Sequence, residues 1–330
     1  MLPFKGNIMD IVADIGGTNA RFACYTADPS RQSAGKLFNS ARYICADFTS
    51  MVDALTNYFE DFQIKPMRMS LAVAGPVDGP SVSFTNNHWS FLKREVKSRF
   101  SLSSLTVVND FTAQALVPPY LAKKKLISVR DGTPYSDTPI LVLGAGTGLG
   151  FAALMPVADD WRPLETEGGN ALLSLQADDP ETLPAFLRKK EGVVSFETCL
   201  SGRGLEYLYQ FLDEGQPPLT AKQIAESADS NQQARKAILL FFNILANFIA
   251  NGILSTGARQ GVYISGGIVP KLREFLPHSQ FLARLSAHGA YSDYVGAVPV
   301  YLIDGEQAEQ AGLLGAGLAL ANPYLNHRRG

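Results

Sequence analysis

Asn7-Ile-Met-Asp-Ile-Val-Ala-Asp14-Ile-Gly-Gly-Thr-Asn-Ala-Arg21-Phe-Ala-Cys-Tyr25 is the stretch around which the chain is organised. Residues 8–12 form an apolar run that reads as a buried strand, and 21–25 reads as a second one. The turn between them is built from small residues, Gly16-Gly17-Thr18-Asn19. Its two glycines permit positive φ and a close approach of the backbone by a ligand. Successive N–H groups in such a turn make an electropositive nest suited to phosphate oxygens, and Thr18 and Asn19 add side-chain donors. Asp14, at the end of the incoming strand, places a carboxylate where a nucleotide's metal ion would sit. An ordinary tight hairpin with a strand-end Asp is the alternative reading of this stretch by itself.

The pattern recurs in the second half of the chain. Residues 139–143 are apolar, Gly144-Ala-Gly146-Thr147-Gly148-Leu149-Gly150 follows, and 151–155 again looks extended. A dinucleotide-binding loop would need a third glycine where Leu149 stands and would open a helix rather than a strand. The Gly-x-x-x-x-Gly-Lys-Ser/Thr phosphate loop is absent from the sequence. Two glycine hairpins, one in each half, suggest a clamp in which each domain grips one side of a polyphosphate.

The 330 residues suggest two domains. With 46% hydrophobic and 18% charged residues the composition is that of a globular protein, and a net charge of -2 carries no footprint for nucleic acid or an anionic membrane. The longest apolar stretch, 237–254, is interrupted by Asn243, Asn247 and Asn251 at helical spacing, which suits a buried helix with a polar seam better than a membrane span. No secretory signal opens the sequence, and Cys24, Cys45 and Cys199 lack metal spacing, so a reduced, cytoplasmic protein without structural zinc is expected.

In chain order, a third strand is expected at 42–47. A helix capped by Thr49 or Ser50 follows, with the stripe Val52, Leu55, Phe59 and Phe62. Strands are expected at 68–74, 81–85 and 105–108, with a short basic helix at 91–100. The first half therefore reads as one α/β layer with a mixed sheet. From 195 to about 256 the chain reads as mainly helical. A buried strand at 261–265 ends in Gly266-Gly267, Pro270 opens a helix, and 298–303 is a further strand. The last helix, 307–320, carries Gly312, Gly315 and Gly317, a small-residue face able to dock on the first domain.

Seven segments occur in one order: Asp14-Ile-Gly-Gly-Thr-Asn-Ala-Arg21, Thr106-Val-Val-Asn-Asp-Phe-Thr-Ala113, Leu143-Gly-Ala-Gly-Thr-Gly-Leu-Gly150, Glu167-Gly-Gly, Leu200-Ser-Gly, Ile264-Ser-Gly-Gly-Ile-Val-Pro270 and Gly312-Leu-Leu-Gly-Ala-Gly317. Together they resemble the bacterial glucokinase family within the actin-like sugar kinase superfamily, over nearly the whole chain. The resemblance implies an α/β protein of two ribonuclease-H-like (actin-like ATPase) domains around a central cleft. Residues 1–120 with about 306–330 would form the smaller domain and 121–305 the larger. It also implies a cytoplasmic homodimer that phosphorylates glucose with Mg-ATP and has no nucleic-acid or membrane partner.

Phosphoryl transfer is chiefly positioning and charge stabilisation, so few parts are needed. By resemblance Asp110 is the base that takes the proton from the sugar's 6-hydroxyl; read locally, it is also a candidate N-cap for a helix starting at Phe111. Asn109, Asp110, Glu167 and Glu197 are the implied sugar ligands. Glu197 is equally explained as an acidic residue in a helix's opening turn. Asn86 and Asn87 are further candidates for this pocket, and His88 reads as structural. For ATP the resemblance implies Asp14, Ile15, Gly16, Gly17, Thr18 and Asn19 from one domain and Gly146, Thr147 and Gly148 from the other. Asp14 would hold Mg2+ through water, and Gly266 and Gly267 would let adenine or ribose approach the backbone. Arg21 reads either as a phosphate contact or as a surface pairing residue. One position departs from the family: Glu-Gly-Gly-His is usual, and here Asn170 stands in the last place. Asparagine can donate and accept as histidine does, with shorter reach and no charge. The alternatives are a kinase for another hexose or a non-catalytic sugar-sensing regulator of the same fold.

Overall fold

The computed structural model describes residues 7–84, 87–213, 215 and 217–328. Asn86 and Thr85 lie outside the described residues. The chain divides into two units, one made of residues up to 123, 157–163 and from 309 on, the other of 124–156 and 164–308.

The first unit is built on a five-stranded sheet. β1 (Asn7–Ile15), β2 (Asn19–Thr26), β3 (Lys36–Ile44), β4 (Ile64–Val73) and β7 (Ser104–Asn109) lie in the order β3-β2-β1-β4-β7. β1 pairs antiparallel with β2 and parallel with β4, and β4 pairs parallel with β7, so the sheet is mixed. β1 is covered on both faces, and Ile11, Val12 and Ala13 are fully buried; that is why it reads as one continuous apolar run. The edge strand β3 runs from Lys36 to Ile44 rather than over 42–47. It alternates exposed and half-buried residues, a pattern with little apolar signal. A 3-10 turn at Cys45–Asp47 ends it.

α1 (Met51–Asp61) is capped by Ser50, whose side chain accepts from the Asp53 N–H. It buries Met51, Ala54, Leu55, Tyr58 and Phe59, while Phe62 is 37% exposed, so the buried stripe is rotated from the expected one. Tyr58 then stacks with Phe22 and Tyr43 of the sheet. The segment expected as one helix at 91–100 is split. β5 (Ser81–Ser83) and β6 (Ser90–Leu92) form a small hairpin, and α2 (Lys93–Arg99) follows. α3 (Asp110–Ala115) starts directly at the end of β7.

The helix Glu306–Ala321 packs its small residues onto this unit. A Cβ at Gly312 would collide with the Asp14 carboxylate, one at Gly315 with the Ala113 carbonyl, and one at Gly317 with the Tyr25 ring. The residues around 157–163 are tied here too: Asn322 Nδ2 donates to the Trp161 carbonyl at 2.8 Å.

A six-stranded sheet, built mainly from residues of the second unit, has the order β11-β10-β9-β12-β13-β8. Its members are β8 (Leu126–Arg130), β9 (Ile140–Ala145), β10 (Leu149–Val157), β11 (Asp160–Glu165), β12 (Gly261–Ser265) and β13 (Val300–Ile303). β9 and β10 form an antiparallel hairpin, and β12 runs parallel to both β9 and β13. The helices are α4 (Leu183–Glu191), α5 (Gly202–Leu212), α6 (Ala221–Ser227), α7 (Gln232–Thr256), α8 (Val269–Leu272), α9 (Phe281–Leu285) and α10 (Ser292–Gly296). α7 is long and apolar enough to cross a membrane, and 72% of its most apolar window is buried inside the protein. Its asparagine seam is polar for a reason. Asn243 accepts from the Gln280 N–H, Asn247 donates to Asp179, and Asn251 donates to Ser174. The fully buried Asp179 is also ion-paired with Arg284, 2.8 Å away, so the seam anchors loops to the core helix.

Candidate active site

The first glycine turn joins β1 to β2 and is closed by the Gly16 N–H donating to the Asn19 carbonyl at 2.9 Å. Further hydrogen bonds to the turn's oxygens come from elsewhere in the first unit. The Cys45 N–H donates to the Thr18 carbonyl at 2.9 Å, Asn87 Nδ2 to the Gly16 carbonyl at 3.3 Å, and Arg42 Nε to the Asn19 side-chain oxygen at 2.9 Å. The Gly16, Thr18 and Asn19 oxygens are thus engaged by the protein, and a turn of this kind offers its remaining N–H groups to an anion. Sequence reasoning found the turn and missed Arg42 and Cys45, because nothing local marks them as partners. His88 is exposed and its Nε2 lies 3.0 Å from the Phe48 carbonyl, a structural contact.

Asp14 and Arg21 are cross-strand partners in the β1–β2 register, and the guanidinium donates to Asp14 Oδ2 and to the Glu309 carbonyl. Arg21 is therefore a pairing residue whose partner is the candidate metal carboxylate. The Asp14 side chain is 12% exposed; burial raises its pKa and the Arg21 charge and hydrogen bond oppose that rise. Ile15 is fully buried under the turn.

At the end of β7, Asn109 rather than Asp110 is the helix cap. Its side-chain oxygen accepts from the Phe111 and Thr112 N–H groups at 2.9 and 3.2 Å. Asp110 is the first residue of α3, half-buried, and its Oδ1 accepts from the Phe111 N–H at 2.8 Å. Two competing local readings are thus separated: the cap belongs to one residue and the half-buried carboxylate to the next.

In the second unit the β9–β10 turn is closed by the Gly146 N–H donating to the Gly148 carbonyl at 2.8 Å, and the Gly202 N–H donates to the Gly146 carbonyl. Glu197 sits against this turn. Its Oε2 accepts from the Leu149 N–H at 2.8 Å, and a Cβ on Gly148 would strike that carboxylate. Glu197 is not in a helix's opening turn, since α5 begins only at Gly202. Its backbone N–H instead donates to the Gly169 carbonyl at 2.9 Å, which brings the Glu167–Asn170 turn to the same place. Gly169 is required there, because a Cβ would collide with the Leu149 carbonyl. A pocket of about 420 Å3 has Thr147, Asn170 and Glu197 in its wall, alongside the hydroxyls of Ser195, Thr198 and Ser201. Glu167 stands exposed at the head of the same turn, outside that wall.

After β12, Gly266 has φ +87° and lies so close to the Ala145 backbone that a Cβ could not be accommodated. Gly267 has open space where a Cβ would be and borders a mainly apolar pocket of about 510 Å3 with Leu205, Ala225, Ile268 and Leu272. Among the described residues no group of three or more His, Cys, Asp or Glu stands together as a metal cage.

Two glycine turns that each join antiparallel strands thus stand on two mixed α/β units, with an Asn-Asp pair at a strand end. The glucokinase family model matches residues 11–323. A glucokinase of Pectobacterium atrosepticum is 37% identical over 316 residues, covering 94% of this chain and 96% of that one. The chain spans 50% of a bifunctional protein of Paraburkholderia xenovorans, to which 97% of it aligns at 34% identity. A solved glucokinase from an Antarctic psychrotroph is 35% identical, with a TM-score of 0.85 over 94% of this chain and 98% of that one. The chain belongs to the glucokinase family, whose members are enzymes that phosphorylate glucose.

Proposed function

We propose that this protein transfers the γ-phosphoryl group of ATP to the 6-hydroxyl of D-glucose, giving glucose 6-phosphate, with Asp110 as the general base. The half-buried carboxylate at the head of α3, beside a neighbour that does the capping, is the observation that carries the reading. Asp110 accepts the hydroxyl proton as the oxygen attacks phosphorus and the bond to the departing ADP breaks. Asn109, Glu167, Asn170 and Glu197 hold the sugar's remaining hydroxyls, supported by the shared pocket of Asn170 and Glu197. Gly16, Gly17, Thr18 and Asn19 contact phosphate oxygens and Gly146, Thr147 and Gly148 contact others, through donors apart from the Gly16 and Gly146 N–H groups that close the two turns. The mainly apolar pocket bordered by Gly267, next to Gly266 in the chain, suits the adenine ring.

The residues present fit Mg2+. Asp14, whose Oδ2 also pairs with Arg21, offers one carboxylate to an ion that water and substrate phosphates would otherwise hold. When bound, that ion neutralises charge on the transferring phosphoryl group. The family resemblance also supports a homodimer working in the cytoplasm.

The test is ADP release with Mg-ATP across a panel of hexoses, beside an Asp110→Ala variant. Glucose turnover that falls by about 10²- to 10⁴-fold in the variant, with glucose binding retained, is the expected outcome. Sugar binding without any turnover in the parent protein overturns the enzyme reading in favour of a sensor. Preference for another hexose keeps the mechanism and places the specificity difference at Asn170.

A further inference from the structure

One donor on the first glycine turn has no part in the function proposed above. Arg42 lies on the edge strand β3, exposed, directly across from Arg21 in the β2–β3 register. Its Nε donates to Asn19 Oδ1 at 2.9 Å across a separation of 23 residues, and it forms no ion pair among the described residues. Asn19 Nδ2, the other end of the same amide, makes no hydrogen bond among the described residues.

A carboxamide has a donor end and an acceptor end, and a half-turn exchanges them. Next to a phosphate only the donor end is tolerated, because the oxygen would face another oxygen carrying negative charge. Asn19 can therefore serve as a phosphate ligand in one of its two orientations. An arginine, which donates and never accepts, selects that orientation by occupying Oδ1.

We propose that Arg42 is a positioning residue for nucleotide binding: it locks the Asn19 amide with Nδ2 presented to the ATP phosphates. This rests on the reading of the first turn as the phosphate site. Arg42 acts through Asn19, so its effect depends on Asn19 being there. A general electrostatic attraction by the guanidinium would not depend on it. The inference also separates the two arginines on these neighbouring strands, since Arg21 engages the Asp14 carboxylate and the Glu309 carbonyl.

The experiment is a double-mutant cycle of Arg42→Ala and Asn19→Ala in the full chain. It reads KM for ATP and for glucose, ADP affinity by calorimetry, and melting temperature. Arg42→Ala is expected to raise KM for ATP and weaken ADP binding about tenfold, the size of one hydrogen bond involving a charged group. KM for glucose and the melting temperature are expected to stay at parent values. In the Asn19→Ala background the arginine substitution is expected to add nothing. An undiminished Arg42→Ala effect in that background overturns the proposal in favour of charge alone, and unchanged nucleotide affinity in the single variant overturns it outright. A parent protein that turns over glucose but binds ADP independently of both residues overturns this proposal and leaves the kinase reading intact. A parent protein that binds no ADP overturns the kinase reading itself.

Discussion

The two glycine turns look alike in sequence and are held in different ways. Around Gly16–Asn19 oxygens accept from Cys45, Arg42 and Asn87; Asn87, a candidate for the sugar pocket by sequence, has its amide engaged by the Gly16 carbonyl and the Trp89 N–H. Around Gly146–Gly148 the support is Glu197, which is itself a candidate sugar ligand and shares a pocket wall with Asn170 and Thr147. The first turn, the proposed phosphate site, is thus braced from behind. The second is joined through one carboxylate to the residues that would read the sugar. The same local motif gives an independent part in one unit and a coupled part in the other.

Glycine substitutions give the largest expected contrast. Gly312→Ala drives a methyl group into the Asp14 carboxylate, and overpacking of this kind costs roughly 1–3 kcal/mol. Thermal melting is expected to show the loss, with weakened Mg-ATP binding beside it. Gly146→Ala meets open space and is expected to leave the melting temperature unchanged while weakening ATP. A parent-like melt for Gly312→Ala would mean that the last helix does not press on Asp14.

Glu197→Ala tests the coupling directly. It removes the acceptor of the Leu149 N–H as well as the proposed sugar contact, so KM for ATP and for glucose are both expected to rise, each by about tenfold. A rise for glucose alone would break the contrast between the turns. Asn87→Ala is the counterpart in the first unit. It removes a 3.3 Å hydrogen bond to Gly16 and is expected to raise KM for ATP by about two- to fivefold, with glucose unaffected.

The smallest effect concerns Glu191, which lines the Asn170–Glu197 pocket. Hydrogen bonds from Tyr207 and then Arg203 hold its carboxyl below the usual carboxylate range. A depressed native pKa means that the tie contributes above the ordinary carboxylate pKa and is lost as pH falls through the native value. Tyr207→Phe is expected to raise the Glu191 titration midpoint, followed by carboxyl-carbon NMR. An unmoved midpoint would show that Arg203 alone sets it.

The legible parts of the chain share a physical cause. β1 and β9 are covered on both faces, so their apolar runs are unbroken, and glycine pairs mark the turns that follow. β3 was displaced because an edge strand with one half-buried face carries little periodicity. The segment at 195–201 misled for the opposite reason. Phe196, Cys199 and Leu200 are all buried at helical spacing, and the Leu200 N–H does reach the Phe196 carbonyl at 2.8 Å. That turn is a single one, because the backbone of Phe196 and Glu197 bonds instead to Ala171 and Gly169. Burying the three apolar residues there leaves Glu197 directed at the β9–β10 turn.

The sequence by itself determined the two turns, the Asn109-Asp110 pair at a strand end and the ordered motifs of the family, since each is written in adjacent residues. The structure decided that Asn109, not Asp110, is the N-cap of α3. It also decided that Arg21 faces Asp14, and that the oxygens and N–H groups of the turns meet partners 23, 48 and 71 residues away. Periodicity and composition describe how each segment is covered; which donor reaches which oxygen depends on how segments distant in sequence pack together.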